Sequence, residues 1–473
     1  MSTFKGLRPI LYGGREVWPL IEGGKGVAAT NHMSSGAWAA AGGIGTVSAV
    51  NADSYDAEGK IVPQLYAQLT RRDRHEQLIR YAIDGAVEQV HRAYELSGGP
   101  NGARGAININ VLWEMGGAQQ VLEGVLERTR GMITGVTCGA GMPYKLAEIA
   151  QRFNVNYLPI ISSARAFRAL WKRAYHKVSD LMAAVVYEDP WLAGGHNGLS
   201  NAEDPRRPED PYPRVKALRE TMRAEGIADS VPIIMAGGVW FLREWDNWID
   251  NPELGGIAFQ FGTRPLLTHE SPIPQGWKDA LREVEPGDVL LHKFSPTGFY
   301  SSAVRNPFLR SLEARSDRQI PYSKVAAGEH TVQLDVGVRG KNFWVAPADR
   351  DRARGWVGEG FTDALRTPDD TMVFVGQAER GGIQQDQKDC MGCLSHCAFS
   401  SWKDHDDYTT GRLADPRSFC IQKTLQDIAH GGNIEENLMF AGHAAYRFKQ
   451  DPFYSNNFTP TVRQLVDRIL TGD

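Results

Sequence analysis

The sequence predicts an α/β protein built on an eight-stranded (β/α)8 barrel, a TIM barrel, with a C-terminal elaboration. Three observations predict it. Two apolar runs, Val231-Pro-Ile-Ile-Met-Ala-Gly-Gly238 and Gly256-Ile-Ala-Phe-Gln-Phe-Gly-Thr263, stop at small residues and lie a helix-length apart, as consecutive buried parallel strands do. Upstream, further apolar runs alternate with helix-length segments, a rhythm that right-handed crossovers turn into a parallel sheet. The glycines fall at strand C-termini, where backbone amides approach a phosphate with no Cβ in the way. Loops of that kind on the last two strands make the phosphate cup of a barrel enzyme.

In chain order, Pro19-Leu-Ile-Glu-Gly-Gly-Lys-Gly-Val27 reads as the first strand and its glycine loop. Ser35-Gly-Ala-Trp-Ala-Ala-Ala41 is a short Ala-rich helix, and Gly42-Gly-Ile-Gly-Thr-Val-Ser-Ala-Val50 is a second strand after a tight turn. Between Arg72 and Leu96, Leu78, Ile79, Ala82, Val87, Val90 and Ala93 recur at helical spacing and predict a long amphipathic helix. The runs Ala106–Leu112, Met132–Cys138, Val155–Ile161 and Leu181–Tyr187 supply four more strands before the pair described above. The barrel is expected over residues 15–268. Residues 269–430 are richer in charge and turns; they read as an elaboration covering the barrel mouth, with cysteines at 390–420. Residues 431–473, including Asn437–Tyr446 and Val462–Leu470, read as helices that pack back on the barrel.

Composition narrows the function. The 473 residues are 42% hydrophobic and 23% charged, with a formal net charge of -4, which is ordinary for a globular chain with a large core. The near-neutral balance, without Lys/Arg runs, gives no support for nucleic acid or an anionic membrane as partner. No stretch reaches the ~20 apolar residues that span a bilayer. The first nine residues lack the apolar core of a signal peptide, so a cytoplasmic enzyme acting on a small molecule is expected. A homo-oligomer is compatible with this composition.

Chemistry concentrates at Ala193-Gly-Gly-His-Asn-Gly198, just beyond the sixth strand. A histidine between glycines at a strand's C-terminus points at the active-site face of a barrel. An imidazole titrating near neutrality suits a base that takes a weakly acidic C–H proton. The competing reading, a loop histidine bonded to backbone carbonyls, is outweighed for His196 by its glycine setting and the neighbouring phosphate cup.

Four motifs in order, Gly42-Gly-Ile-Gly-Thr46, Ala193-Gly-Gly-His-Asn-Gly198, Ala236-Gly-Gly-Val239 and Gln260-Phe-Gly-Thr-Arg264, resemble the nitronate monooxygenase family of FMN-binding barrels, also called 2-nitropropane dioxygenases. The resemblance covers roughly residues 15–310, with a weaker echo at Phe440-Ala-Gly-His-Ala-Ala-Tyr446. It implies that Gly237, Gly238, Gly262 and Thr263 hold the FMN phosphate, and that Gly23 and Gly24 lie beside the isoalloxazine. Gly195 and Gln260 join the cofactor site, and Asn110 meets the polar edge of the ring. His196 matches the catalytic histidine. Two stretches depart from the pattern: Glu188-Asp-Pro-Trp-Leu192, where the family has a glutamine and a Glu-Ala pair, and Glu22-Gly-Gly-Lys25, where it has Pro-Met. Both alter the surroundings of flavin and substrate.

The largest departure is Cys390-Met-Gly-Cys-Leu-Ser-His-Cys397 with Cys420 beyond it, four of the five cysteines. A C-x2-C-x3-C loop with a distant fourth thiolate can close a tetrahedral or cubane site. A similar spacing holds a [4Fe–4S] cluster in other FMN barrel reductases. Structural Zn2+, with His396 or Cys420 as fourth ligand, and unbound thiols stay open beside it. The fifth cysteine, Cys138, reads as a small core residue.

The resemblance implies an FMN-dependent oxidation of alkyl nitronates or nitroalkanes by O2. The alternative is a flavin reductase, with an iron–sulfur centre, of an enoyl or other activated acyl substrate, using a reductant instead of O2. A third reading, a flavin-stabilised binding protein without turnover, is disfavoured by His196. No dinucleotide glycine fingerprint with a trailing acid is present, so a second nucleotide site is unsupported.

Overall fold

Eight parallel strands close on themselves in the computed structural model: β1 (Leu20–Glu22), β2 (Ile44–Ser48), β3 (Ala106–Leu112), β4 (Gly135–Gly139), β5 (Asn156–Ile161), β6 (Val185–Glu188), β7 (Ile233–Ala236) and β8 (Ile257–Phe261), with β8 pairing back to β1. The structure describes all residues except 1–2, 5, 67–69, 103, 339–341 and 406, together with the side chains of 100 and 101. Alternation along β3 sets the layers. Ile107, Ile109 and Val111 face out into the core shared with the surrounding helices, while Asn108 and Asn110 face the barrel interior. The two asparagines meet different surroundings. An N-terminal hairpin, Ile10–Tyr12 with Arg15–Val17, plugs the lower end, and the Tyr12 hydroxyl donates to Asn108 Oδ1 at 2.8 Å. Asn110, two residues nearer the mouth, is left for the site.

Helices cover the first sectors: α1 (His32–Ala40), α2 (Arg71–Leu96), α3 (Ala118–Arg128), α4 (Leu146–Phe153), α5 (Ala164–Arg173) and α6 (Pro211–Ala224). Helix α1 starts three residues before its Ala-rich run, because Asn31 accepts from the amides of Met33 and Ser34. Directly after β7 and β8 the chain makes short 3-10 turns, Leu242–Trp245 and Arg264–Leu266, and the helix Gln275–Arg282 follows the second. The helix Val462–Leu470 packs Val462, Leu465, Val466 and Ile469 into the same core that receives α1. Arg264 ties this sector together: its fully buried guanidinium donates to Trp240 O at 2.7 Å and Asp473 O at 2.8 Å, and pairs with Asp451 at 3.4 Å.

The first strand ends at Glu22, and Gly23 and Gly24 turn the chain across the barrel mouth, as a strand followed by its glycine loop requires. The helix expected over 437–446 starts later. Residues 437–442 are extended, not helical; Phe440 bridges Ala303 and the Val304 amide donates to Met439 O at 2.9 Å. Apolar periodicity alone did not separate a helix from a segment laid beside the antiparallel pair Val289–His292 and Ser301–Val304. A further small sheet, Gln319–Pro321, Thr371–Val375 and Asp363–Arg366, carries its own apolar cluster with the helix Pro347–Gly358.

Candidate active site

The site opens where the barrel strands end. One cavity, of about 620 Å3, is lined by Gly23, Gly24, Gly237, Gly238, Gln260, Gly262 and Thr263. An adjoining one, of about 1030 Å3, brings in Asn110, Gly195 and His196. All ten residues expected at the flavin therefore meet at one mouth, although they come from five stretches of chain. The four clustered cysteines line neither cavity.

The first cavity is built as a cradle of bare backbone. Gly237 and Gly238 have φ of +91° and +76°, a region that L side chains rarely adopt. A Cβ on Gly237 would stand 3.0 Å from the Ala193 nitrogen, and one on Gly238 would stand 2.8 Å from Leu192 Cδ1. Gly262 has neither restraint: a Cβ there would meet nothing within 4 Å, because it would point into the open cavity. The Thr263 hydroxyl accepts from the Gly442 amide at 2.9 Å, which leaves its own proton to donate.

The second cavity holds the polar groups of the ring site. Asn110 Oδ1 is buried without a hydrogen-bond partner among the described residues. A Cβ on Gly24 would lie 2.1 Å from that oxygen, so only glycine lets the loop pass. An orphaned acceptor at the rim of a cavity is the group that a flat ligand with an N–H edge would satisfy. These observations fit FMN.

His196 sits on a two-residue strand, Gly195–His196, added to the edge of Ser301–Val304. Its Nε2 shares a 2.6 Å hydrogen bond with the Ser295 hydroxyl, which also accepts from the Thr297 amide at 3.3 Å. Phe440 meets the imidazole edge-on with ring centroids 5.7 Å apart. Burial pushes His196 down to about 4, below the near-neutral titration expected from the sequence. The ring is therefore neutral at pH 7 and a weaker base than a free imidazole. Its Nδ1 has no partner among the described residues. The ring is thus held by one nitrogen and available at the other.

Three further residues line these cavities without having been singled out as functional in the sequence. Glu188, at the end of β6, reaches both cavities and a third one beside His196. Burial, then the neighbouring Asp189, pushes its carboxyl up to about 8, so it is mainly an acid at pH 7. Lys25 donates to Gly23 O at 2.7 Å and lies 3.6 Å from the buried Glu22 carboxylate. Burial lowers Lys25 and raises Glu22, while each partner pulls the other back toward its charged form. Gly442 closes the cradle from the far C-terminal segment. The departures from the family pattern at Glu188–Leu192 and Glu22–Lys25 were visible signals, and Gly442 lay in the weaker Phe440–Tyr446 echo; Ser295 had none, since only the fold brings it near.

The cysteines gather in a separate buried cluster beside α2. Cys390, Cys393 and Cys397 are buried and Cys420 is partly so, at the start of the helix Ile421–Ala429. Burial pushes Cys420 up to about 12 and Cys397 up to about 11. Among the described residues no group of three or more His, Cys, Asp or Glu is drawn into metal-holding geometry as it stands. Cys138 is fully enclosed in the core between barrel and helices. No helix among the described residues is long and apolar enough to cross a membrane.

A closed barrel with a glycine cradle at its last two strands and a histidine at the mouth defines a flavin-type barrel enzyme. The nitronate monooxygenase family model matches residues 14–471, and the chain belongs to that family, making it an FMN-dependent oxidoreductase. Among solved structures it is similar to the enoyl reductase domain of MlnA from the macrolactin biosynthesis cluster of Bacillus amyloliquefaciens, at 9% identity and TM-score 0.53, over 96% of this chain and 93% of that one. FabK from Thermotoga maritima aligns at 14% identity and TM-score 0.50, over 96% and 91%. At these identities the likeness shows the fold. No curated protein matches the chain.

Proposed function

We propose that this oxidoreductase acts on small nitroalkanes or their nitronates, with O2 as the final oxidant. The observation that carries the reading is the neutral His196, anchored to Ser295 and turned to the cavity that continues from the glycine cradle. FMN, when bound, supplies the electron acceptor. The amides of Gly237, Gly238 and Gly262 and the Thr263 hydroxyl would hold its phosphate. Gly23, Gly24, Gly195, Gln260 and Asn110 would border its ring. His196 would accept the α-proton of a nitroalkane at Nδ1 while Ser295 keeps the ring in place. The Lys25 ammonium, close behind Gly23, favours negative charge in the same cavity.

Oxygen uptake by FMN-loaded protein with nitroethane and with preformed ethyl nitronate tests this. His196→Gln should lower turnover of nitroethane by about 10²–10⁴-fold, the usual worth of a positioned base. It should affect the nitronate, already deprotonated, much less. Equal turnover of nitroethane by the variant and the parent would sink the assignment.

A second reading, reduction of an activated alkene such as an enoyl thioester, is favoured by Glu188. A carboxyl protonated up to about pH 8 beside an apolar wall of Val27, Leu112, Ile160, Leu266 and Phe440 suits proton delivery to carbon. Anaerobic oxidation of NADH or NADPH on adding a crotonyl thioester, without O2 uptake on nitronate, would favour it over the first.

A further inference from the structure

The flavin reading leaves four of the five cysteines unused, and the fold has gathered them. We propose that Cys390, Cys393, Cys397 and Cys420 hold a [4Fe–4S] cluster against the wall of the flavin cavity. The argument rests on how the sulfurs are surrounded. The Gly392 amide donates to Cys390 Sγ at 3.4 Å and the Ser400 hydroxyl at 3.1 Å. The backbone around Phe399 and Ser400 lies toward Cys397, that of Gln422 toward Cys393 and that of Lys423 toward Cys420. A neutral thiol is a weak acceptor and has little use for such donors. A cluster thiolate is anionic, and hydrogen bonds to its sulfur are among the main controls on a cluster's potential.

The wider shell agrees with an anionic centre. Arg74 Nε donates to Cys390 O at 3.0 Å, and Arg71 Nη2 donates to Ser400 O at 2.8 Å, so two cations at the start of α2 brace the cysteine loop. Leu394, Phe399, Trp402, Phe419 and Ile421 close an apolar coat around it. Three thiols on one tight loop and a fourth at a distant helix start match a cubane better than zinc, whose sites more often pair two C-x2-C knuckles. His396 does not complete a zinc set, since it is exposed on the strand residue before buried Cys397.

The cysteine cluster is one side-chain layer from the flavin site. Val27, Leu425 and Phe440 belong both to the cavity wall and to the apolar cluster around the cysteines. Loading requires the thiols to turn inward, since the sulfurs as placed are not in ligand geometry; the Gly392 amide and the Ser400 hydroxyl already donate to Cys390.

The proposal leans on the flavin reading only for what lies across that wall, and one sample separates the two. Full-length protein is purified without oxygen, then assayed for flavin, iron, zinc and acid-labile sulfide, before and after anaerobic incubation with ferrous iron and sulfide. The expected result is about four irons and four sulfides per chain, with a paramagnetic signal on dithionite reduction. Cys393→Ser should lose most of the iron and keep its flavin, while Cys138→Ala keeps both. Should Cys393→Ser fail to fold, the parent's metal content decides. Flavin with zinc, or with no metal even after reconstitution, overturns the cluster and leaves the flavin reading intact. Iron without flavin would do the reverse.

Discussion

Adding one methyl group at Gly262 should separate the cofactor cradle from the fold that carries it. A Cβ there meets no atom within 4 Å, and its φ lies outside the left-handed range, so the flavin-free protein has no reason to resist it. Replacing such a glycine by alanine changes stability by about 0.4–1 kcal/mol in the favourable direction, through the unfolded chain. The methyl would project into the space where the phosphate approaches the amide. A hydrogen bond to a charged group is worth about 1.5–3 kcal/mol, so losing one donor weakens FMN binding about 10- to 150-fold. Gly237→Ala should behave differently. Its φ of +91° and a contact 3.0 Å from the Ala193 nitrogen place strain in the protein itself. The left-handed conformation alone costs about 1–2 kcal/mol. Thermal unfolding of the flavin-free proteins and fluorescence titration with FMN read the two effects apart. The expected pattern is slightly raised unfolding with weak binding for Gly262→Ala, and lowered unfolding with weak binding for Gly237→Ala. Parent-like FMN affinity in Gly262→Ala would refute the cradle.

Other consequences follow from the same geometry. The activity should show a bell-shaped dependence on pH if Glu188 serves as an acid, falling below about pH 4 as His196 gains a proton and above about pH 8 as Glu188 loses one; a Glu188→Gln profile still falling near pH 8 would assign that limb elsewhere. The same shifts bear on stability with opposite signs. His196 has a lowered folded pKa, so its contribution is present above pH 6.5 and fades as the pH drops toward 4. Glu188 has a raised one, so its contribution is full below pH 4.5 and fades as the pH rises through 8, and Glu188→Gln should flatten the alkaline loss seen in unfolding scans. Asp451→Ala leaves the buried Arg264 guanidinium without its carboxylate, and breaking a buried pair costs about 3–5 kcal/mol. Because Arg264 follows the cradle residue Thr263, that variant should also retain less FMN; a parent-like melting temperature would remove the pair from the account. Ser295→Ala should lower turnover of nitroethane while leaving FMN content unchanged, since the hydroxyl touches the imidazole and lines neither cofactor cavity.

The barrel was legible because its signals are local. Each strand centres on a short apolar run, and β1, β4, β7 and β8 run into glycine at their C-terminal ends. Gly237, Gly238 and Gly262 could be picked out because a close approach to backbone demands residues without a Cβ, which is a property of the residue itself. The extent of elements was less legible. Residues 437–442 are not helical as expected, since the partner that decides their conformation, the strand Ser301–Val304, is distant in sequence. What the sequence by itself determined, then, is the fold class, the cradle and the histidine, all written in short segments. Only the tertiary structure decided that Ser295 fastens His196, that Gly442 bonds Thr263, and that Asn108 is spent on Tyr12 while Asn110 stays unpaired. It also gathered Cys390, Cys393, Cys397 and Cys420 into one apolar cluster. Burial and long-range hydrogen bonds set a side chain's protonation and reach, and neither is carried by the residues next to it in the chain.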